Sequence, residues 1–467
     1  MQALAACHGP HPSASLASGE TGRDALGSAS PAPVALVGGT LVNPGVRAVP
    51  NAIVVFKDGR VACAGPAVQC QVPAAARRID VTGKFVAPGL IDAHVHYSQT
   101  GWLDGRPDAG DLRAQFPYDS VVAALRDHPE RFDRANLCSG VTSIFDVGGY
   151  DWTLEHARRS ENDVTAPRMS AAGPLLSTIG FWLNLPAERQ FVYMGSDSAV
   201  VAGVRANARL GAAAIKVWYI QVPDSVQPVM RGRIMVAGRE AKRVGLPLIV
   251  HATELARAKE ALAAGARVLV HDVDDVPVDS AFISALRQNG AVLIPTLTVL
   301  PGYADVLGGR SPAARYPLDC VDGTTRAHLQ SLIPDSLRAR AAPRLPRLER
   351  IVAQNAANLH ALWAAGIPIA MGTDAGNPGT AHGPSVYAEM EAMQAAGMPA
   401  SAVFSAATAG GARALGRSHD LGSLEPGKLA DAVVFSADPS ADAANARTVQ
   451  LVVRGGMLYD RNQLLPR

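Results

Sequence analysis

Charge is scarce in this chain and balanced: 43 Lys and Arg stand against 41 Asp and Glu, a formal charge of +2, and charged residues make up 18% of the sequence. The basic residues are dispersed, so nothing resembles the basic stripe that binds nucleic acid, and no nucleic-acid partner is expected. No apolar run approaches the roughly 20 residues a spanning helix needs, which argues against a membrane-embedded body. Cysteine is sparse, with five residues (Cys7, Cys63, Cys70, Cys138 and Cys320) in no zinc-ligand spacing, and no disulfide framework can be read from them. Cys63 and Cys70 lie close enough to bridge in an exported protein but read as two free thiols. Aromatic residues are also few, at 5%, so the places where they gather carry information.

What remains is a globular composition. Apolar residues make up 48% of 467 positions, enough to bury a large core in more than one domain. Residues 1–33 are rich in Ala, Ser, Gly and Pro without hydrophobic periodicity, and read as a flexible leader. Its start, Leu4-Ala5-Ala6-Cys7, resembles the end of a bacterial lipoprotein signal, although the charged and long apolar parts of such a signal are missing. An N-terminal lipid anchor is therefore the one membrane attachment to consider, and exported and cytoplasmic locations both stay open.

Two β-rich pieces flank the chain. Near the start, the runs Ala35–Val37, Ile53–Phe56 and Val61–Ala62 alternate with turn signals such as Asp58-Gly59. Near the end, Ala432–Phe435 and Val449–Val453 precede Gly455-Gly456. One small β-sandwich is expected from both ends, residues 34–83 plus 421–467.

Between them, residues 84–420 repeat strand, loop and helix. Candidate strands are Thr142–Val147, Arg168–Ala172, Ala214–Tyr219, Leu246–His251, Arg267–His271, Ala291–Pro295 and Ile367–Asp374, with an opening strand at Val86–His96. Helical stretches such as Ala252–Ala264 and Ala353–Ala365 separate many of them, with Gly265 and Gly366 where helix C-terminal glycines belong. Alternating strands and helices imply a parallel sheet, and eight such strands an α/β fold of the (β/α)8 TIM-barrel type. Chemistry in that fold lies at the C-terminal ends of the strands.

That rule selects a small set of residues. The opening strand ends in His94-Val95-His96, whose alternate imidazoles would point to one face as half of a metal site. Lys216, His251, His271 and Asp374 each follow an apolar run. Singly, each has a plain structural reading: a hydrogen-bonded histidine, a solvated lysine, an aspartate that caps a helix. Together they form a coherent two-metal ligand set.

With these residues in hand, the chain resembles the amidohydrolase superfamily, in the branch of imidazolonepropionase-like and Xaa-dipeptidase-like hydrolases. The resemblance rests on Pro88-Gly89-Leu90-Ile91-Asp92-Ala93-His94-Val95-His96, Ile215-Lys216-Val217, His251-Ala252, His271, Gly372-Thr373-Asp374-Ala375-Gly376 and the run Gly422–Asp431, and it covers nearly everything after residue 34. It implies that His94, His96 and Asp374 hold one divalent ion and His251 and His271 a second, with zinc the default metal. Lys216 would carry a CO2-derived carboxylate bridging the two, because an ammonium cannot ligate a metal whereas its carbamate can. A metal-bridging hydroxide would attack an amide or dipeptide-like carbonyl while Asp374 moves the proton to the leaving nitrogen.

The sequence also departs from relatives. Phe181 stands near where a loop histidine is often seen, and bulky Val217-Trp218-Tyr219 follow Lys216. Trp102, Phe181, Trp182, Trp218 and Tyr219 gather on the expected rim, which suggests an apolar or aromatic pocket for a small-molecule amide or peptide. Tyr219 is the candidate to hydrogen-bond a substrate carbonyl, and His382 a candidate substrate contact. Arg106, Arg231 and Arg233 sit in loops that could reach a substrate carboxylate. Two other functions stay in view. One is a mononuclear deaminase or ring-opening cyclic amidohydrolase, against which Lys216 argues and for which Glu254 speaks. The other is an inactive scaffold or binding protein, disfavoured because all six ligand positions are filled. A homo-oligomer is left open.

Overall fold

The structure is a computed structural model, and it describes residues 32–180 and 190–466. The strands are β1 (Val34–Leu41), β2 (Val49–Lys57), β3 (Arg60–Pro66), β4 (Arg77–Asp80), β5 (Phe85–Pro88), β6 (Leu90–Val95), β7 (Val141–Asp146), β8 (Arg168–Ala171), β9 (Leu175–Ser177), β10 (Phe191–Tyr193), β11 (Ile215–Trp218), β12 (Leu248–His251), β13 (Val268–Val270), β14 (Val292–Ile294), β15 (Ala432–Phe435), β16 (Val449–Arg454) and β17 (Met457–Asp460).

Strands from both chain ends share one eight-stranded sheet, ordered β17-β16-β15-β5-β1-β2-β3 with β4 against β1. The pairing of β15 with β5 joins the late strands to the early ones: Ala432 to Phe435 run antiparallel to Pro88 to Phe85. Asp58 and Gly59, both at positive φ, make the β2–β3 turn, and Gly455 and Gly456 do the same between β16 and β17. Alternate residues feed opposite faces. Leu36, Val54 and Phe56 pack in one buried cluster, Ala35, Ile53 and Val55 in another.

The middle of the chain is mixed α/β. Strands β6-β7-β8 form one parallel sheet, and β10-β9-β11-β12-β13-β14 another. Backbone hydrogen bonds run between them: Ala213 N donates to Ala171 O (2.8 Å), and Ala93 N to Met371 O (3.0 Å). The expected strand at Ile367–Asp374 is present only as bridges, Ile369 with Leu293 and Ala375 with Val95. Met371 N donates to Ala406 O instead of to a neighbouring strand, which breaks the ladder. Helix Leu255–Ala263 falls within the expected Ala252–Ala264, and helix Leu345–Ala364 covers the expected Ala353–Ala365 to within one residue but begins earlier; Gly265 and Gly366 follow them at φ of 94° and 73°.

The reading of free thiols is corrected. Cys63 bonds Cys70, and Cys138 bonds Cys320, each pair with Cα atoms 5.7 Å apart. The second pair could not be read from sequence because 182 residues separate its partners. Among the described residues no helix is long and apolar enough to cross a membrane.

Candidate metal centre and its cavity

The site starts from a carboxylate that ties two segments together. Asp92, fully buried on β6, accepts from Thr373 N at 2.9 Å, Thr373 Oγ1 at 2.6 Å and His94 N at 3.2 Å. Glycine at 372 lets the segments close up: a Cβ there would lie 2.8 Å from the Cβ of His94 and 2.5 Å from Ile294. Asp374 then adopts a φ of 56°, and its N–H donates to His94 O at 2.7 Å. Such a φ is uncommon outside glycine and tends to gather at functional sites. His271 (φ 70°) and Thr296 (φ 52°) share it.

Three ligand atoms meet as a result. Asp374 Oδ1 lies 3.2 Å from His94 Nε2 and 3.1 Å from His96 Nε2, and the two nitrogens are 3.3 Å apart. Ligands about 2.0–2.1 Å from a tetrahedral ion stand about 3.3 Å from one another, so the triangle has the edge length of a metal face. His96 Nδ1 lies 2.5 Å from Gly148 O, which directs the lone pair of Nε2 at the site. The far oxygen, Asp374 Oδ2, is 3.9 Å from His271 Nε2, and His94, His271 and Asp374 offer ligand atoms within 4.8 Å of one another.

The other three expected residues approach from neighbouring strands. Lys216 lies on β11 at 2% exposure, His251 ends β12, and His271 follows β13. The His251 and His271 rings are 4.5 Å apart, and His271 Nδ1 is held 2.6 Å from Thr296 Oγ1. The structure thus brings together all six residues that the strand-end rule selected.

Burial sets the electrostatics. Desolvation presses His94 and His251 down to about 3 and His271 well below its ordinary value, so all three are neutral lone-pair donors. Burial alone would raise Asp374, but His94 and His96 outweigh it and hold the carboxyl well below its ordinary value. Burial lowers Lys216 to about 8, against the pull of Asp374 and Asp146. About a tenth of this amine is then neutral at pH 7.

A cavity of about 300 Å³ opens over the cluster. His96, Lys216, His251, His271 and Asp374 line it together with apolar Leu175, Phe191, Trp218 and Leu300. Sequence reasoning missed Thr253, Asp272, Asp274, Asn355 and Asn377 on the same wall. They are polar loop or helix residues in no pattern that singles them out.

Several expected contacts are corrected. Tyr219 does not line this cavity; its hydroxyl donates to Glu260 Oε2 (2.5 Å) and accepts from Gln227 (2.9 Å). The cause is strand alternation: Lys216 and Trp218 share one face, and Tyr219 falls on the other. Trp102 packs against Phe116 and His328 in a separate core cluster, away from the cavity. His382, 2% exposed, packs on Phe132 with Nε2 3.2 Å from Gln99 O, a structural position. Phe181 and Trp182 lie outside the described residues. Arg106 lines the cavity but is paired with Asp108; Arg231 pairs with Glu260, and Arg233 donates to Met194 O. Glu254 pairs with Arg257 in a neighbouring cleft.

Residues 85–458 match the model of the amidohydrolase family. This chain belongs to that family. Membership makes it a hydrolase of carbon–nitrogen bonds, in a family that generally uses metal ions and to which a small-molecule substrate is suited. The imidazolonepropionase of Methylobacterium nodulans is 27% identical over 425 residues, covering 85% of this chain and 91% of that protein. The imidazolonepropionase of Caulobacter vibrioides is 28% identical over 418 residues, covering 85% and 90%. In fold, the chain is similar to a Xaa-Pro dipeptidase solved with methionine in its active site (TM-score 0.70, 22% identity), over 92% of this chain and 100% of that one.

Proposed function

We propose that this amidohydrolase cleaves an amide or dipeptide-like bond with a pair of divalent cations, held by His94, His96, Lys216, His251, His271 and Asp374. The observation that carries the reading is that His96, Lys216, His251, His271 and Asp374, from five segments of the chain, line one cavity, with His94 Nε2 3.2 Å from Asp374 Oδ1. The donor set fits metal: four imidazoles, three of them pressed toward the neutral form by burial, face the carboxylate of Asp374. His94 Nδ1 and Asp374 Oδ1 are buried without a hydrogen-bond donor.

Zinc suits this His-rich set. Two such cations would lower the pKa of a water and polarise the substrate carbonyl. The chain's own residues supply the rest. The neutral amine of Lys216 attacks CO2, forming an N–C bond and releasing one proton, and the carbamate adds a second anionic group to the cluster. Asp374 takes the proton of the attacking water and delivers it to the leaving nitrogen. Leu175, Phe191, Trp218 and Leu300 exclude water on one side and favour an apolar substrate face.

The same proposal extends to architecture. The parallel strands read as a closed (β/α)8 barrel, supported by the hydrogen bonds Ala213–Ala171, Ala93–Met371 and Ala370–Leu293. The sheet built from both chain ends reads as the accompanying β-sandwich of residues 34–83 and 421–467. The two disulfides favour an oxidising compartment as the protein's location.

A mononuclear cyclic amidohydrolase is the second reading, favoured by the tight His94–His96–Asp374 triangle and by identity with the imidazolonepropionases. Glu254, spent on Arg257, removes the support it lent to a deaminase. Hydrolysis assays over dipeptides, N-acyl amino acids and cyclic imide-like compounds, run with metal analysis, test the proposal. Turnover of linear amides with two metals per chain supports the binuclear reading, and turnover of ring compounds with one metal the second.

A further inference from the structure

Besides Asp374, two side chains lining the cavity hold hydrogen-bonding atoms that none of the described residues bonds. Asp272 is fully buried, and neither of its carboxyl oxygens has a partner. Asn355, on the helix Leu345–Ala364, is 7% exposed, and its Oδ1 is also unpartnered. Both line the cavity over the metal centre. Buried oxygens without donors are costly, so three of them lining one cavity point to a ligand that brings the donors.

A structural duty does not account for them. Three residues further along the same helix, Asn358 already fastens the loop after β13: its amide donates to Val273 O at 2.7 Å and Val276 O at 3.0 Å, and it accepts from Val278 N at 3.0 Å. Nor is there an internal counter-ion. Among the described residues no cation pairs with Asp272. Asp274 adds another acidic group to the cavity wall, beside Thr253.

We infer that Asp272 and Asn355 form a subsite for a cationic hydrogen-bond donor on the substrate, an ammonium or a guanidinium. An entering cation would pair with the carboxyl of Asp272 and donate to Asn355 Oδ1, supplying partners to atoms that now lack them. The inference rests on the reading of the cavity as an amide-hydrolase site, and it narrows the substrate from any apolar amide to one with a positive group near the scissile bond. Such a group comes either from a free amino terminus or from a basic side chain.

The test compares amides that differ only in charge, on the metal-loaded protein. One pair is a lysyl dipeptide against its norleucyl counterpart; the other is a free dipeptide against its N-acetyl derivative. The wild type is expected to favour the cationic member of one pair at least tenfold in kcat/KM, and the pair that responds identifies the source of the charge. Asp272→Asn and Asn355→Leu should each lower that ratio several-fold, whereas Asn355→Asp, which adds a charge and keeps the volume, should raise it. A ratio near one in the wild type for both pairs, or ratios unmoved in all three variants, overturns the subsite while hydrolysis itself still stands. Calorimetric binding of lysinamide against norleucinamide separates the two readings. Selective lysinamide binding, lost in Asp272→Asn, supports the subsite even if no amide is hydrolysed, and equal binding of the two rejects it.

Discussion

Asp374 Oδ1 stands 3.1 Å from His96 Nε2. In our account this carboxylate both completes the ligand triangle and carries the proton. Asp374→Asn keeps an oxygen for the site but removes the base. It should retain much of the metal and lose about 10²–10⁴-fold in kcat. Steady-state kinetics with elemental analysis of the same sample checks this, and near-wild-type turnover would reject the assigned role.

Lys216 contributes through an added carboxylate, so its removal should be chemically repairable. Lys216→Ala should lose the second metal and most activity, and short carboxylic acids such as acetate or propionate should restore part of both. The measurement is metal content and rate across a titration of the acid. Full metal occupancy without any rescue agent would mean that Lys216 does not bridge.

The disulfides make a prediction about stability. Denatured without reductant, the protein should show one reactive thiol, that of Cys7, and five after reduction, because the two bridges use four of the five cysteines. The Cys138–Cys320 bridge closes the longer loop, so Cys138→Ser with Cys320→Ser should cost roughly 2–5 kcal/mol, read as a lower denaturant midpoint. The Cys63–Cys70 bridge, seven residues apart, should matter less.

Glu389 gives stability a pH dependence. Fully buried, it accepts from Leu297 N at 2.9 Å and Thr298 N at 2.8 Å, and burial raises its pKa from 4.5 to about 8 despite those bonds. Between these values the folded chain holds a proton that the unfolded chain has released. Its contribution to stability is therefore complete below about pH 4.5 and is lost as the pH rises through 8. Melting temperatures measured across that range should fall with pH more steeply in the wild type than in Glu389→Gln, which cannot titrate. Parallel slopes would contradict the assignment.

The six clustered residues were legible in the sequence because each combines a rare polar type with a fixed place after an apolar run. His94, His96, Lys216, His251, His271 and Asp374 needed only the rule that chemistry sits at strand ends. Tyr219 was misread although the signal was there: period-two alternation from Lys216 already turns it away from the cavity. Trp102 and His382 were misread for another reason, since aromatic and imidazole rings serve packing as readily as binding, and only coordinates separate the two. Asp272 and Asn355 gave no local signal, because what distinguishes them is the absence of a partner. The strand at Ile367–Asp374 was over-extended because its apolar pattern gives no sign that Met371 N turns to Ala406 O.

The most direct test of the account is the metal content of the purified protein, measured by elemental mass spectrometry for the wild type and Lys216→Ala. The account requires two divalent ions per chain in the wild type and a loss of the second in the variant. One ion or none in the wild type, or equal content in both proteins, would contradict it.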